Sequence, residues 1–195
     1  MTHINFKCFN DHDAVRDIQN FWTMSLPDRF YFTSLKREDA PEIIWNLSNR
    51  AITKNLLKLP DPYTHTDAME WMDFLDAEAK EFPERSRLRL YIRKKETEKV
   101  IGNISIWRQE LGIWVLGYWL AEEFWRQGIM TWACSEVLQR AKEQGVEQVL
   151  VGRIKEGNYG SRRVLEKNGF RRLGDEGILL NGELHKEWEY EIELK

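Results

Sequence analysis

The sequence predicts an α/β (α+β) fold, a mixed sheet flanked by helices, on three observations. First, Leu88–Lys94 and Val100–Trp107 alternate apolar and polar residues and are joined by the charged turn Lys95-Glu96-Thr97-Glu98, a β-hairpin pattern. Second, an apolar run over Gly112–Leu120 is followed by a helical pattern opening at Gly128 and by another apolar run, Val146–Ile154. A strand–helix–strand of that length crosses over right-handedly onto a parallel neighbour. Third, Asn181-Gly182 is a favoured two-residue turn between the last two strands.

The elements follow in chain order. Residues 1–28 read as an extension in which Asp11 or Asp13 caps a short helix, with Ala14, Ile18, Phe21 and Trp22 on one side and Pro27 ending it. Phe30–Thr33 is an aromatic first strand. Asp39 or Ala40 precedes a proline in the first turn of a helix carrying Ile43, Ile44 and Leu47. Pro60–His65 is a loop by its prolines, after which Thr66 or Asp67 caps a helix with Met69, Met72 and Leu75 at helical spacing. The hairpin comes next.

Gly112–Leu120 is apolar enough for a central strand covered on both faces. Five of the nine tryptophans (Trp107, Trp114, Trp119, Trp125 and Trp132) fall within 26 residues here and predict aromatic core packing. The helix after Gly128 sets Met130, Ala133, Val137, Leu138 and Ala141 on one face, with Gly145 beyond its end. In the last strand Leu184, Lys186, Trp188, Tyr190, Ile192 and Leu194 alternate with Glu187, Glu189, Glu191 and Glu193, which predicts one buried and one wet face.

Composition narrows the function classes. A chain of 195 residues with 42% hydrophobic and 31% charged residues suits one globular domain, placed here at 29–195 behind the extension. A net charge of −3 argues against a nucleic-acid binder, which would need a basic face. Two cysteines, Cys8 and Cys134, make no disulfide framework and fit a reducing compartment. The start of the sequence has no signal-like apolar run, and 112–121 is about half the ~20 residues of a membrane helix. The expectation is a cytoplasmic protein with no membrane or nucleic-acid partner, as monomer or homodimer.

Two stretches carry chemistry. In Gly117–Thr131 a strand ends in a polar turn and a helix starts at Gly128. The free N–H groups and dipole of that helix end suit a diphosphate, and Arg126 adds a full charge. In Asn158–Phe170 a preferred N-cap residue, Asn158, precedes Ser161, and the segment ends in Asn168-Gly169-Phe170.

Together these resemble motifs A and B of the GNAT superfamily of acyl-CoA-dependent N-acetyltransferases. The likeness is greatest to the branch acting on ribosomal-protein N-termini (RimJ/RimL-like). The shared pattern is Gly-Tyr-Trp before the turn, Trp-x-x-Gly opening the helix, and Asn-x-x-Ser with the closing Asn-Gly-Phe. The likeness spans roughly residues 29–195 as a pattern and is most specific over 113–173.

The resemblance implies the GNAT fold, with a mostly antiparallel sheet whose fourth and fifth strands are parallel and splay apart. It implies acetyl-CoA as co-substrate, no metal, and direct attack by an amine acceptor, a peptide N-terminus or a small molecule. The pantetheine arm would pair with backbone near Leu120, and Arg126, Gln127, Gly128, Ile129, Met130 and Thr131 would hold the pyrophosphate. Asn158 would bond the pantetheine amide and Ser161 would give the sulfur its proton. Arg162 and Lys167 are further phosphate or adenine candidates, and Tyr63 and His65 would sit on the acceptor wall.

Two departures from the family pattern stand out. Met130 replaces a small residue, and Val115 stands where many relatives carry a glutamate base. A glutamate ahead of the last hairpin, the base in the ribosomal-protein enzymes, aligns with Ile178. Glu176 is the nearest acid on that strand face, ahead of Glu183 and His185. Two other readings stay open: an acetyltransferase for a polyamine or amino sugar, and a non-catalytic acyl-CoA-binding module.

Overall fold

The computed structural model describes residues 28–56, 59–81, 87–109, 113–143, 149–180 and 183–194. The expected helix in the extension, Cys8 and the Asn181-Gly182 turn lie outside them. Seven strands form one sheet: β1 (Phe30–Thr33), β2 (Arg87–Lys94), β3 (Val100–Arg108), β4 (Trp114–Leu120), β5 (Val149–Lys155), β6 (Arg171–Leu180) and β7 (Glu183–Glu193). Their order across the sheet is β1-β2-β3-β4-β5-β7-β6. The β4–β5 pair is parallel, while β1–β2, β5–β7 and β6–β7 are antiparallel. The helices are α1 (Ala40–Leu47), α2 (Arg50–Thr53), α3 (His65–Glu81), α4 (Ile129–Glu143) and α5 (Tyr159–Lys167). This is the mixed α/β architecture that the periodicities predict. Leu180 pairs with Glu183, so two residues connect β6 to β7.

The chain divides into two compact units, Met1–Asn103 with Trp119–Phe124, and Ile104–Tyr118 with Trp125–Lys195. In the first, the apolar faces of α1 and α3 meet: Ile43, Leu47, Ala68 and Met72 share a core with Tyr63, Tyr91 and Val100. Asp39 holds the position before α1 but makes no side-chain cap. Its carboxylate instead takes two 2.8 Å bonds from Arg93, and both side chains are almost wholly buried. Buried charges persist only when paired, so this contact ties β2 to the start of α1.

One local expectation is corrected. The second long helix begins at His65, not after Thr66. Thr64 caps it, taking a bond from Asp67 N (3.3 Å) while Asp67 Oδ2 accepts from Thr64 N (2.7 Å), a reciprocal capping box. The extra short helix α2 is capped by Asn49, whose side chain accepts from Ala51 N.

In the second unit α4 buries Ile129, Met130, Ala133, Cys134, Val137, Leu138 and Ala141, the expected face. Of the five clustered tryptophans only Trp114 is buried. Trp107, Trp119 and Trp132 are half-buried and Trp125 is exposed. The alternation in β7 holds only in part: Trp188 and Tyr190 are buried, but Leu184 is 65% exposed and Glu187 only 3%. Helix α5 covers Trp188, which meets Tyr159 and Arg162, whereas Leu184 packs against the backbone of Gly177.

Candidate active site

The site grows out of an interruption in the sheet. Strands β4 and β5 pair at Trp114–Leu150, Val115–Val151 and Leu116–Gly152, and there the ladder stops. Both strands run on, β4 to Leu120 and β5 to Lys155. Burial along β4 follows: Trp114, Val115 and Leu116 are buried, Gly117, Tyr118 and Trp119 only half-buried. The covering expected on both faces thus fails at the strand's midpoint, where unpaired backbone groups become available to another molecule.

Ahead of α4 the chain makes an unusual turn. Arg126 has φ +63° and Gly128 φ +79°, with Gln127 between them outside the left-handed region. Alternation of this kind turns successive N–H groups to one side as an anion-binding concavity. Left-handed backbone at a non-glycine costs on the order of 1–2 kcal/mol, and such strain gathers at functional sites. A Cβ built on Gly128 would meet nothing within 4 Å, so the turn is open.

The first intrahelical bond of α4 runs from Trp132 N to Gly128 O (2.9 Å). The N–H groups of Ile129, Met130 and Thr131 therefore have no helical acceptor. No acid lies in the first turn of α4, and the Met130 side chain is 6% exposed, in the core and away from the open turn. These residues fit a diphosphate. Leu120, the end of β4, belongs to the other unit. It is 8% exposed there, and the next residue, Ala121, donates its N–H to Ile101 O at 2.7 Å.

The second stretch forms α5. Asn158 is its N-cap, with Oδ1 accepting from Ser161 N at 3.1 Å. Capping occupies only Oδ1, and among the described residues the Asn158 Nδ2 and Ser161 Oγ atoms have no partner. The Tyr118 hydroxyl donates to Ser161 O (3.2 Å), fixing the first turn of α5 against β4. Burial pushes the Tyr118 phenol well above its ordinary value, so it stays a neutral donor.

The closing Asn-Gly-Phe is a complete helix stop. Phe170 N donates to Leu165 O and Gly169 N to Glu166 O (both 3.1 Å), with Gly169 at φ +85°. This is a Schellman motif, and the side chains of Leu165 and Phe170 are both buried. Asn168 Nδ2 reaches Thr131 O (3.2 Å) and so joins the end of α5 to the first turn of α4. No local sequence signal announces that bond, nor the Tyr118–Ser161 one.

The remaining candidates lie elsewhere. Arg162 is engaged by Glu166 at 2.8 Å, and Lys167 is exposed. Glu176, on β6, pairs in register with Glu187 of β7; the Glu176 side chain lies outside the described part of the structure, as do those of Ile178, Glu183 and His185. Val115 is buried at 5%. In the first unit, His65 is exposed at the start of α3, while Tyr63 is 6% exposed in the core, which pushes its phenol up to about 12. Among the described residues no cluster of His, Cys, Asp or Glu could hold a metal, and no helix is long and apolar enough to cross a membrane.

Known proteins give three results. No curated protein matches by sequence. Among solved structures, an RimL ribosomal L7/L12 alpha-N-protein acetyltransferase in complex with coenzyme A is similar, with TM-score 0.72 and 17% identity over 85% of this chain and 94% of that one. A Salmonella typhimurium acetyltransferase modifying the N-terminal serine of ribosomal protein L7/L12 gives TM-score 0.68 and 20% identity, over 86% and 96% of the two chains. The microcin C7 self-immunity acetyltransferase MccE, bound to acetyl-CoA and AMP, gives 0.72 and 20%, over 85% and 93%. At such identities the likeness is one of fold. The model of the acetyltransferase (GNAT) domain matches residues 29–171, which contain the broken ladder, the open turn and the capped helix, and the chain accordingly belongs to the GNAT acetyltransferase family, whose acyl donor is acetyl-CoA.

Proposed function

We propose that the protein transfers the acetyl group of acetyl-CoA to a free N-terminal α-amine of a protein or peptide. The observation that carries this reading is the stop of the β4–β5 ladder at Leu116–Gly152, with the open 126–128 turn and the capped α5 in the same unit. On it, the N–H groups of 126–131 hold the diphosphate and Asn158 Nδ2 bonds a pantetheine amide. Acetyl-CoA supplies the activated acyl carbon. Ser161 Oγ holds the proton that the departing sulfur needs.

The acceptor class follows from acidity. An α-amine with pKa about 7.7–8 is roughly a quarter neutral at cellular pH, a lysine amine near 10.4 about a thousandth, a gap on the order of 3 kcal/mol. Buried Val115 supplies no base on the central strand. A site of this kind favours the amine that gives up its proton most easily.

The test is thiol release from acetyl-CoA, with peptides bearing free Ala, Ser or Met N-termini set against polyamines, amino sugars and N-terminally blocked lysine peptides. Turnover on free N-termini is the expected result. Faster turnover of a blocked lysine peptide would overturn the acceptor assignment, and turnover on small amines alone would move it to that class. Acetyl-CoA binding with no turnover would point to an acyl-CoA-binding module.

A further inference from the structure

Helix α5 is held less firmly at its start than at its middle. Leu165 is its buried residue, and the Leu165 side chain lies 3.0 Å from where a Cβ on Gly152 of β5 would stand. One turn earlier, around Ser161, no residue is buried, and Tyr159 is 62% exposed with its ring against Trp188. Asn158 caps this turn, accepting from Ser161 N through Oδ1 and from Arg162 N through its carbonyl. Both bonds are internal to the turn, so neither places it against the sheet.

Tyr118 supplies the outside contact. Leu116 lies opposite Gly152 in the last pair of the β4–β5 ladder. Opposed residues share a face and successive ones alternate, so Tyr118, two residues on, lies on the face that α5 covers. Its ring starts on β4 beyond the last paired residue, and its hydroxyl ends 3.2 Å from the Ser161 carbonyl oxygen. A carbonyl has two lone pairs, so this one can serve its helical donor and the phenol together. The bond ties β4 to the helix on β5 after the strands have ceased to pair. With the Gly152–Leu165 contact one turn away, it gives α5 two fixed points.

Position matters more for Ser161 than for a residue that only binds. A proton passes between heavy atoms about 2.6–3.2 Å apart, and misplacement by about 1 Å can cost a hundredfold in rate. In the proposed step Ser161 Oγ gives its proton to the sulfur as the carbon–sulfur bond breaks and the carbon–nitrogen bond forms. The proton shed by the amine restores the hydroxyl.

We infer that Tyr118 is a positioning residue for acetyl transfer, its hydroxyl holding the first turn of α5 so that Ser161 Oγ meets the departing sulfur; this rests on the acetyltransferase reading above.

The experiment compares wild type with Tyr118→Phe, which keeps the ring and removes the hydroxyl, with Ser161→Ala, and with the two changes together. It measures kcat on the amine that wild type acetylates fastest, acetyl-CoA affinity by calorimetry, and amide hydrogen exchange at Ser161 and Arg162. Tyr118→Phe should exchange those two amides about fivefold faster, the scale of one lost neutral hydrogen bond. It should lower kcat about tenfold, part of what a misplacement of about 1 Å can cost, with acetyl-CoA affinity unchanged. Because Tyr118 acts through Ser161, the double variant should match Ser161→Ala in kcat within about twofold.

Wild-type kcat or wild-type exchange in Tyr118→Phe overturns the inference and leaves the acetyltransferase reading intact, as does a double variant in which the two losses multiply. If Tyr118→Phe does not fold, 4-fluorophenylalanine in place of Tyr118, which fills the hydroxyl's space without donating, is held to the same criteria. Failure of both to fold would assign the bond to the fold alone and overturn the inference. If Ser161→Ala keeps full kcat, or wild type acetylates no amine, the reading above falls, and this inference with it.

Discussion

Ser161 shows how one side chain serves fold and chemistry through different atoms. Its N–H completes the Asn158 cap, its carbonyl takes the Tyr118 hydroxyl, and its Oγ is left over. Ser161→Ala should therefore keep the helix and the acetyl-CoA affinity while lowering kcat about a hundredfold, the usual scale for a lost proton donor. A loss seen only in calorimetric affinity would contradict the donor role. Gly128 is sensitive for another reason. Alanine there would add left-handed strain of about 1–2 kcal/mol but no obstruction, because its Cβ meets nothing. Glu would add a negative charge to an anion site. Titration calorimetry should find acetyl-CoA binding weakened in Gly128→Ala and lost in Gly128→Glu; equal affinities would refute the diphosphate assignment.

At the scale of elements, the contacts that position the first unit are polar. Arg93 on β2 reaches Asp39 before α1, and also donates to Thr33 Oγ1 on β1 (3.3 Å) and to the Glu98 carbonyl of the β2–β3 turn. Removing one member leaves the other charge buried and alone. Asp39→Ala should cost about 3–5 kcal/mol in urea unfolding, far beyond an ordinary lost cap of about 1 kcal/mol. Joint replacement of Asp39 and Arg93 by apolar residues should be milder than either single change. These two residues also show the limit of local reading: Asp39 looks like an N-cap because its position fits, and only its distant partner on β2 redirects the carboxylate.

For the whole molecule, buried acids make alkaline stability a readable quantity. Burial pushes the Cys134 thiol from 9.0 up to about 12. Below pH 9 both folded and unfolded chains keep that proton. Between pH 9 and about 12 the unfolded thiol loses it while the folded one does not, so folding stability falls. One group contributes up to about 1.4 kcal/mol per pH unit over that range. Tyr31, raised to about 12 by burial and then by its bond to Glu98, and Tyr63, raised by burial, act with the same sign from their ordinary 10.0. The thermal midpoint should decline from about pH 9, and Cys134→Ala should flatten the first part of the decline. A midpoint that is level to pH 11 would show that the thiol is not buried.

Much of the fold and part of the site could be read from residue order, because those features are local. The hairpin pattern of 88–107, the glycine at 128 and Asn158 three residues ahead of Ser161 each encode their geometry within a few positions, and each forms as read; the Asn-Gly-Phe stop is equally local. What depends on partners distant in sequence could not be read. The alternation of β7 made Glu187 a solvent residue, and Met130 could have blocked the turn. Packing against distant elements buried the first and drew the second into the core. The break in the β4–β5 ladder is of the same kind, since one strand's sequence cannot say where its neighbour leaves it. Dihedral preference and hydrogen-bond capacity are properties of a short segment, whereas burial and pairing are properties of two segments that only the folded chain brings together.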